Sequence, residues 1–175
     1  NYYYAYPLAK KYTMKIVIAP VGAYTDKATA ENDPHATYSY LSWKDIKEMA
    51  DSGLVEFQNH TYDLHSNKAG RAGTKRVAGE SEEEYKNLLM KDLGSMQKKL
   101  QECLGETPQC FVYPFGAISE GEPDIIKEMG FRCTLTCESR INTIEKNPEC
   151  LYGLGRYLRD PDLSSKDFFE KILGN

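Results

Sequence analysis

His60 and His65 stand five residues apart in the stretch Phe57-Gln58-Asn59-His60-Thr61-Tyr62-Asp63-Leu64-His65, which holds two of the chain's three histidines. Neutral imidazoles are common ligands of zinc and similar divalent ions, so metal chemistry is what this pair could do. The spacing restricts how. On a helix, a five-residue step turns the chain by roughly 500° and leaves the rings about 140° apart. On a strand, an odd offset sends them to opposite faces. The rings converge only if the chain changes direction between them, with His60 ending a strand and His65 in the turn or short helix beyond. Val55-Glu56-Phe57-Gln58 alternates, is rich in strand formers, and reads as that strand. In an α/β protein, the C-terminal end of a strand is where active sites are usually built. The plain alternative is two unrelated loop histidines, one donating to a backbone carbonyl.

The elements that must position the pair follow from patterning. A chain of 175 residues makes one domain with a real core, taken here as residues 1–175. The formal net charge is -4 and no basic block stands out, which argues against nucleic acid as the partner. No apolar run reaches membrane-spanning length and no signal peptide opens the chain. The first residue is Asn1, so a mature or trimmed product is expected.

Tyr3, Tyr6, Leu8 and Tyr12 predict a helix over 2–12 that begins or kinks near Pro7. Residues 14–19 read as a short buried strand. Residues 20–40, with Gly22, Asp26, Asn32-Asp33-Pro34 and His35, read as a long loop. Ser42 and Asp45 form a capping box for a helix whose inner face carries Ile46, Met49 and Ala50, and which ends at Gly53. Residues 66–80 read as loop. Ser81 and Glu84 form a second capping box, ahead of the stripe Tyr85, Leu88, Leu89, Leu93, Met96, Leu100 and Leu104, stopped by Gly105. Residues 110–113 predict a strand closed by Pro114-Phe115-Gly116. A helix over 123–129, strands over 131–136 and 151–158, and a last helix capped by Ser164 complete the chain. Phe168, Phe169, Ile172 and Leu173 should be that helix's buried side.

Such alternation predicts a parallel sheet with helices outside it. A series of this kind normally opens on a strand, yet this chain opens on a helix. A strand before Asn1 is therefore expected, missing from this sequence. Cys103, Cys110, Cys133, Cys137 and Cys150 are odd in number and lack zinc-finger spacing; they read as mostly reduced and partly buried, with room for one disulfide. The thirteen tyrosines either line a carbohydrate groove or pack as half-buried ring edges, and packing is the expectation.

Gln58-Asn59-His60-Thr61-Tyr62-Asp63-Leu64-His65 resembles the histidine motif of the polysaccharide deacetylases (NodB homology, carbohydrate esterase 4), in the branch that acts on poly-N-acetylglucosamine. Residues 79–85 and the helix behind them look like the segment that follows there. Phe111-Val112-Tyr113-Pro114-Phe115-Gly116 resembles that branch's F-x-Y-P-Y-G motif. Leu154-Gly155-Arg156-Tyr157 is similar to its later L-x-R. The likeness runs over nearly the whole chain in the right order.

The resemblance implies an α/β fold, a distorted (β/α)7 barrel. It implies a divalent metal held by an aspartate and two histidines, with zinc expected and cobalt or nickel tolerated. His60 and His65 would be the nitrogen ligands. Thr61 would hydrogen-bond within the loop and hold the second histidine. The Phe115 N–H would serve the oxyanion, and Tyr113, Pro114 and Phe115 would form one wall of the sugar groove. The implied activity is hydrolysis of N-acetyl groups from a cell-surface polysaccharide or peptidoglycan, in an extracellular or cell-envelope setting.

The sequence also departs from the family. The T-F-D-D-G motif that supplies the base and the aspartate ligand is not in it, which agrees with the strand expected before Asn1. On this reading the chain alone is inactive, and its open sheet edge invites pairing with another chain. Val112 replaces the arginine many members carry, and no histidine follows His65 to act as general acid. His35, Asp26 and Asp63 are the substitutes within reach. His35 reads as a surface residue, and Asp63 as a cap of its own turn. A catalytically inactive carbohydrate-binding module on the same fold is the competing reading, and a deacetylase of a small amide a third.

Overall fold

The computed structural model describes residues 1–32, 35, 40–68 and 70–174. Its described elements are α1 (Ala5–Tyr12), β1 (Ile16–Ile18), α2 (Gly22–Glu31), α3 (Trp43–Asp51), β2 (Val55–Phe57), β3 (Asn67–Lys68), β4 (Arg71–Ala72), α4 (Glu82–Leu104), β5 (Cys110–Val112), α5 (Glu122–Glu128), β6 (Cys133–Leu135) and α6 (Ser165–Leu173). β1 and β2 are parallel with Ile16 opposite Val55 and Ile18 opposite Phe57. β5 and β6 are parallel with Cys110 opposite Cys133 and Val112 opposite Leu135. Single parallel bridges join Asn59 to Phe111 and Leu135 to Leu154. The order across the array is thus β1, β2, β5, β6 and then Leu154.

The α/β architecture with parallel strands is as expected. A closed (β/α)7 barrel is not seen: among the described residues the strands form three two-stranded sheets, and the Asn59–Phe111 bridge links the two parallel ones. The parallel strands are three residues long.

Two-residue periodicity decides which side chains meet the helices. Ile16, Ile18, Val55 and Phe57 lie against Tyr6, Ile46, Met49, Met96 and Leu100 in one cluster. Val17 and Glu56, opposite each other in the register, are exposed on the other face. Phe111 and Tyr113 join Tyr85, Leu89, Leu93, Ile126 and Phe131 in a second cluster. The stripe of α4 serves both clusters, so this helix is the spine of the domain. Both predicted capping boxes form, Ser42 with Asp45 and Ser81 with Glu84. Gly105 ends α4 in the left-handed conformation, at φ 80°. No described helix is long and apolar enough to cross a membrane.

Several expectations are corrected. Residues 20–40 are not all loop, because α2 fills 22–31. Its buried residues are Gly22 and Thr25, so it packs without an apolar stripe and left no periodic signal. Asp33 and Pro34 of that expected loop lie outside the described residues. Residues 66–80 contain the small β3–β4 hairpin. The expected last strand reduces to the Leu154 bridge behind a 3₁₀ turn at Pro148–Leu151. Gly153, at φ 77°, breaks the extended run. Ser164 caps α6 as expected, but none of that helix's residues is fully buried, and Phe169 and Leu173 are 57% and 62% exposed. All five cysteines are free, so no disulfide forms.

Candidate functional site

The histidine loop is built outward from the end of β2. Gln58 continues the ladder, its N–H donating to the Ile18 carbonyl. Asn59 is fully buried and bonded on every side. Its backbone pairs with Cys110 and Val112. Its amide donates to the Leu93 carbonyl (3.0 Å) and to Gln97 Oε1 (3.1 Å), and its Oδ1 accepts the Thr61 N–H at 2.9 Å. Thr61 then takes φ 73°, the left-handed region that β-branched residues rarely enter. This is the change of direction the five-residue spacing required.

Two elements hold the reversed chain. The first N–H groups of α2, on Gly22 and Ala23, donate to the Thr61 and Tyr62 carbonyls (3.1 and 2.7 Å), which satisfies helix-end donors that otherwise lack partners. From α4, Asp92 accepts the Tyr62 N–H on Oδ1 (2.8 Å) and the Asp63 N–H on Oδ2 (2.9 Å). Burial pushes the Asp92 carboxyl above its ordinary value, against the lowering effect of these two donors.

The loop brings the His60 and His65 rings to a centroid separation of 4.8 Å, with planes 59° apart. His60 Nδ1 lies 2.6 Å from the Val112 carbonyl oxygen. A carbonyl can only accept, so Nδ1 carries the proton and Nε2 keeps its lone pair. Burial lowers the His60 pKa to about 4, with a further push from His65, although the Val112 bond acts the other way. The ring is therefore neutral at ordinary pH, as a metal ligand must be. A ligating histidine typically donates its other ring N–H to a carbonyl in this way. Two neutral imidazoles this close have the donor chemistry that a divalent ion takes from histidine. Among the described residues no group of three or more His, Cys, Asp or Glu is placed to hold a metal, and catalytic zinc sites use three protein ligands.

Of the three residues expected to wall a sugar groove, Phe115 is exposed while Tyr113 and Pro114 are buried. Tyr113 is 1% exposed and Pro114 is buried. Tyr113 shares the helix-facing side of its strand with Phe111, two residues before it, and packs edge-on to that ring. Phe115 is half exposed, with its ring 4.5 Å from that of His65. Its backbone is left-handed, at φ 58°, and its N–H donates to no other described residue. The Thr61 hydroxyl, expected to bond within the loop, is buried with no hydrogen-bond partner among the described residues; the backbone of Thr61 bonds to Asn59 and Gly22 instead.

The substitute ligands are elsewhere. Asp26 accepts from Trp43 Nε1 (2.7 Å), Tyr62 Oη (2.9 Å) and Lys99 Nζ (3.0 Å). Burial opposes these bonds, but together they hold its carboxyl below the ordinary value. Asp63 is exposed, and Asp92 rather than its own side chain takes its backbone N–H. His35 is exposed. Asp92 is the residue that sequence reasoning missed. Its one signal was an acid lying between Leu89 and Leu93 on the apolar stripe of α4.

In front of His65 opens a cleft of about 680 Å³, lined among others by Ile18, Tyr24, Tyr40, Asn67 and Phe115. The Tyr24 hydroxyl donates to the His65 carbonyl at 3.1 Å.

Comparison with known proteins agrees with this geometry. A poly-beta-1,6-N-acetyl-D-glucosamine N-deacetylase of Staphylococcus aureus (strain MSSA476) is 28% identical over 169 residues, covering 97% of this chain and 52% of the relative. The chain thus spans about half the length of that curated relative. Among solved structures, a de-N-acetylase from Aggregatibacter actinomycetemcomitans aligns with TM-score 0.77 and 29% identity, over 97% of this chain and 69% of that one. IcaB from Ammonifex degensii aligns with TM-score 0.73 and 27% identity, over 92% of this chain and 63% of that one. The family profile described as polysaccharide deacetylase matches residues 1–134. With its strand-end histidine pair and an exposed Phe115 beside it, this chain belongs to the polysaccharide deacetylase family.

Proposed function

We propose that the protein takes part in metal-dependent hydrolysis of N-acetyl groups on the N-acetylglucosamine units of a cell-surface polysaccharide. The observation that carries this reading is the His60 Nδ1 bond to the Val112 carbonyl, 4.8 Å ring-to-ring from His65. It leaves a neutral nitrogen of His60 available at the end of β2, as a divalent ion requires. Zinc is the expected ion, with cobalt or nickel as alternatives. Bound there, it would acidify a water and polarise the acetamide carbonyl.

The chain's own residues would do the rest. His60 and His65 would hold the ion, and Asp92, Asn59 and the start of α2 would hold the histidines. The Phe115 N–H, which donates to no other described residue, would donate to the oxygen that becomes negative at the tetrahedral stage. The Phe115 ring would wall the sugar. This reading also needs a proton-accepting carboxylate and a third ligand, and no group of three or more His, Cys, Asp or Glu is placed to hold a metal among the described residues.

The test is acetate release from β-1,6-linked N-acetylglucosamine oligomers with added zinc or cobalt, for residues 1–175 and for a version extended upstream. The extended version should be faster by a factor on the order of 10² to 10⁴, the usual worth of general acid–base catalysis. His60→Ala and His65→Ala should each abolish its metal-dependent rate. Equal rates from both versions would overturn this assignment of roles. Oligomer binding by both versions with no acetate from either would make the protein a carbohydrate-binding module instead.

A further inference from the structure

Cys110 on β5 stands opposite Cys133 on β6 in the parallel register. That register is pinned on both sides of the pair. The Arg132 N–H donates to the Gln109 carbonyl at 2.8 Å, and the Tyr113 N–H to the Leu135 carbonyl at 3.0 Å. Phe111 turns into the helix-facing cluster, so Cys110 points to the other face of the sheet. Cys133, its partner across the ladder, points to that same face. Neighbouring strands lie about 4.8 Å apart, inside the roughly 4.4–6.8 Å that separates Cα atoms in disulfides. Both thiols are free, and the backbone already has the spacing that a bond between them needs.

The other three cysteines have no such partner. Cys103 Sγ lies 3.5 Å from the Trp43 carbonyl, and Cys150 Sγ 3.7 Å from the Glu145 carbonyl. Cys137 takes the Arg156 guanidinium at 3.5 Å. At the rise of a strand it stands about 13 Å from Cys133, beyond the roughly 7 Å that a disulfide can span. Within the facing pair the two sulfurs differ. Cys133 is partly exposed and Cys110 is buried. Contact with Cys110 holds the Cys133 thiol below its ordinary pKa against the effect of burial, and contact with Cys133 raises that of Cys110, with burial adding to the rise. The thiolate is the nucleophile in exchange, so Cys133 is the sulfur that meets a reagent, and Cys110 stands behind it.

We propose that Cys110 and Cys133 form a redox modification site, which reacts with a low-molecular-weight disulfide such as oxidised glutathione and closes to an intramolecular bond between β5 and β6. Cys133 gives up its proton and attacks one sulfur of the reagent, whose S–S bond breaks and releases one thiolate. Cys110 then gives up its proton and attacks the Cys133 sulfur of the mixed disulfide, which releases the second thiolate. Two protein thiols are oxidised, one reagent disulfide is reduced, and the two protons end on the two released thiols. The bond closes a loop of chain that holds Phe115 and α5, and so restrains the unfolded state.

The experiment equilibrates the reduced, metal-free protein with glutathione buffers from fully reduced to fully oxidised. Free thiols are then alkylated, and the peptides are mapped by mass spectrometry. In the wild type and in Cys137→Ser, oxidation should join the peptide holding Cys110 to the one holding Cys133, with glutathione on neither. Cys110→Ser should stop at a lasting glutathione adduct on Cys133. The bonded protein should unfold at a midpoint roughly 5–10 °C above the reduced one, a gain that Cys133→Ser should lack. Cys110 and Cys133 both still reduced in fully oxidised glutathione would overturn the proposal. So would a bond between any other two cysteines, or a lasting wild-type adduct on Cys133 beside a reduced Cys110.

Discussion

Gly22 and Tyr62 approach so closely that a side-chain carbon on Gly22 would overlap the Tyr62 ring, and would also lie 2.9 Å from Met96 Sδ. Tyr62 has little room to yield. Its hydroxyl is bonded to Asp26 and its N–H to Asp92. Gly22→Ala should therefore destabilise the protein by about 1–3 kcal/mol, the usual cost of overpacking. Thermal unfolding measures this, and an unchanged midpoint would mean that α2 can shift away from the histidine loop at no cost.

Asp92 uses one carboxylate oxygen for each of two consecutive N–H groups. Asp92→Asn keeps the size but offers one acceptor, and turns its amide hydrogens toward the other N–H. The expected cost is about 0.5–1.5 kcal/mol, that of losing one hydrogen bond at a partly exposed loop. Because the loop carries both histidines, zinc affinity should also fall by at least tenfold, as for other groups that orient metal ligands. Calorimetric titration with zinc reads the second effect. Lost stability with undiminished zinc affinity would show that Asp92 supports the fold alone.

His60 sets a direction for acid stability in the metal-free protein. Its folded pKa is lowered from the ordinary 6.5 to about 4. Between those values the unfolded chain binds the proton and the folded chain does not, so stability rises with pH in that window. The contribution is complete above about 6.5 and is lost as pH falls toward 4. Denaturant unfolding at a series of pH values should show this fall, and His60→Asn should flatten it. An equal slope in the variant would assign the fall to other groups.

How much was legible in the sequence depended on how local each signal was. α3 and α4 announce themselves through capping boxes and through apolar residues one turn apart, and both form where expected. The convergence of His60 and His65 was also legible, since neither helix nor strand geometry permits it without a turn. α2 was not, because it packs through Gly22 and Thr25, which leave no hydrophobic period. Asp92 was hidden for another reason: its partners are Tyr62 and Asp63, 30 and 29 residues away in sequence. Tyr113 was assigned to the groove by its motif, whereas simple alternation with Phe111 places it in the core. The apolar side of α6 could be read from its sequence, but its exposure could not, since burial depends on what the rest of the chain places against it.

The chain has a single tryptophan, Trp43. Its indole N–H donates to the same Asp26 carboxylate that receives the Tyr62 hydroxyl, and Lys99 lies 5.8 Å from its ring. Tyr62 is two residues from His60 and belongs to the loop that carries both histidines. One carboxylate therefore links this indole to the histidine loop, and any movement of Tyr62 on that loop must be felt at the Trp43 N–H through Asp26.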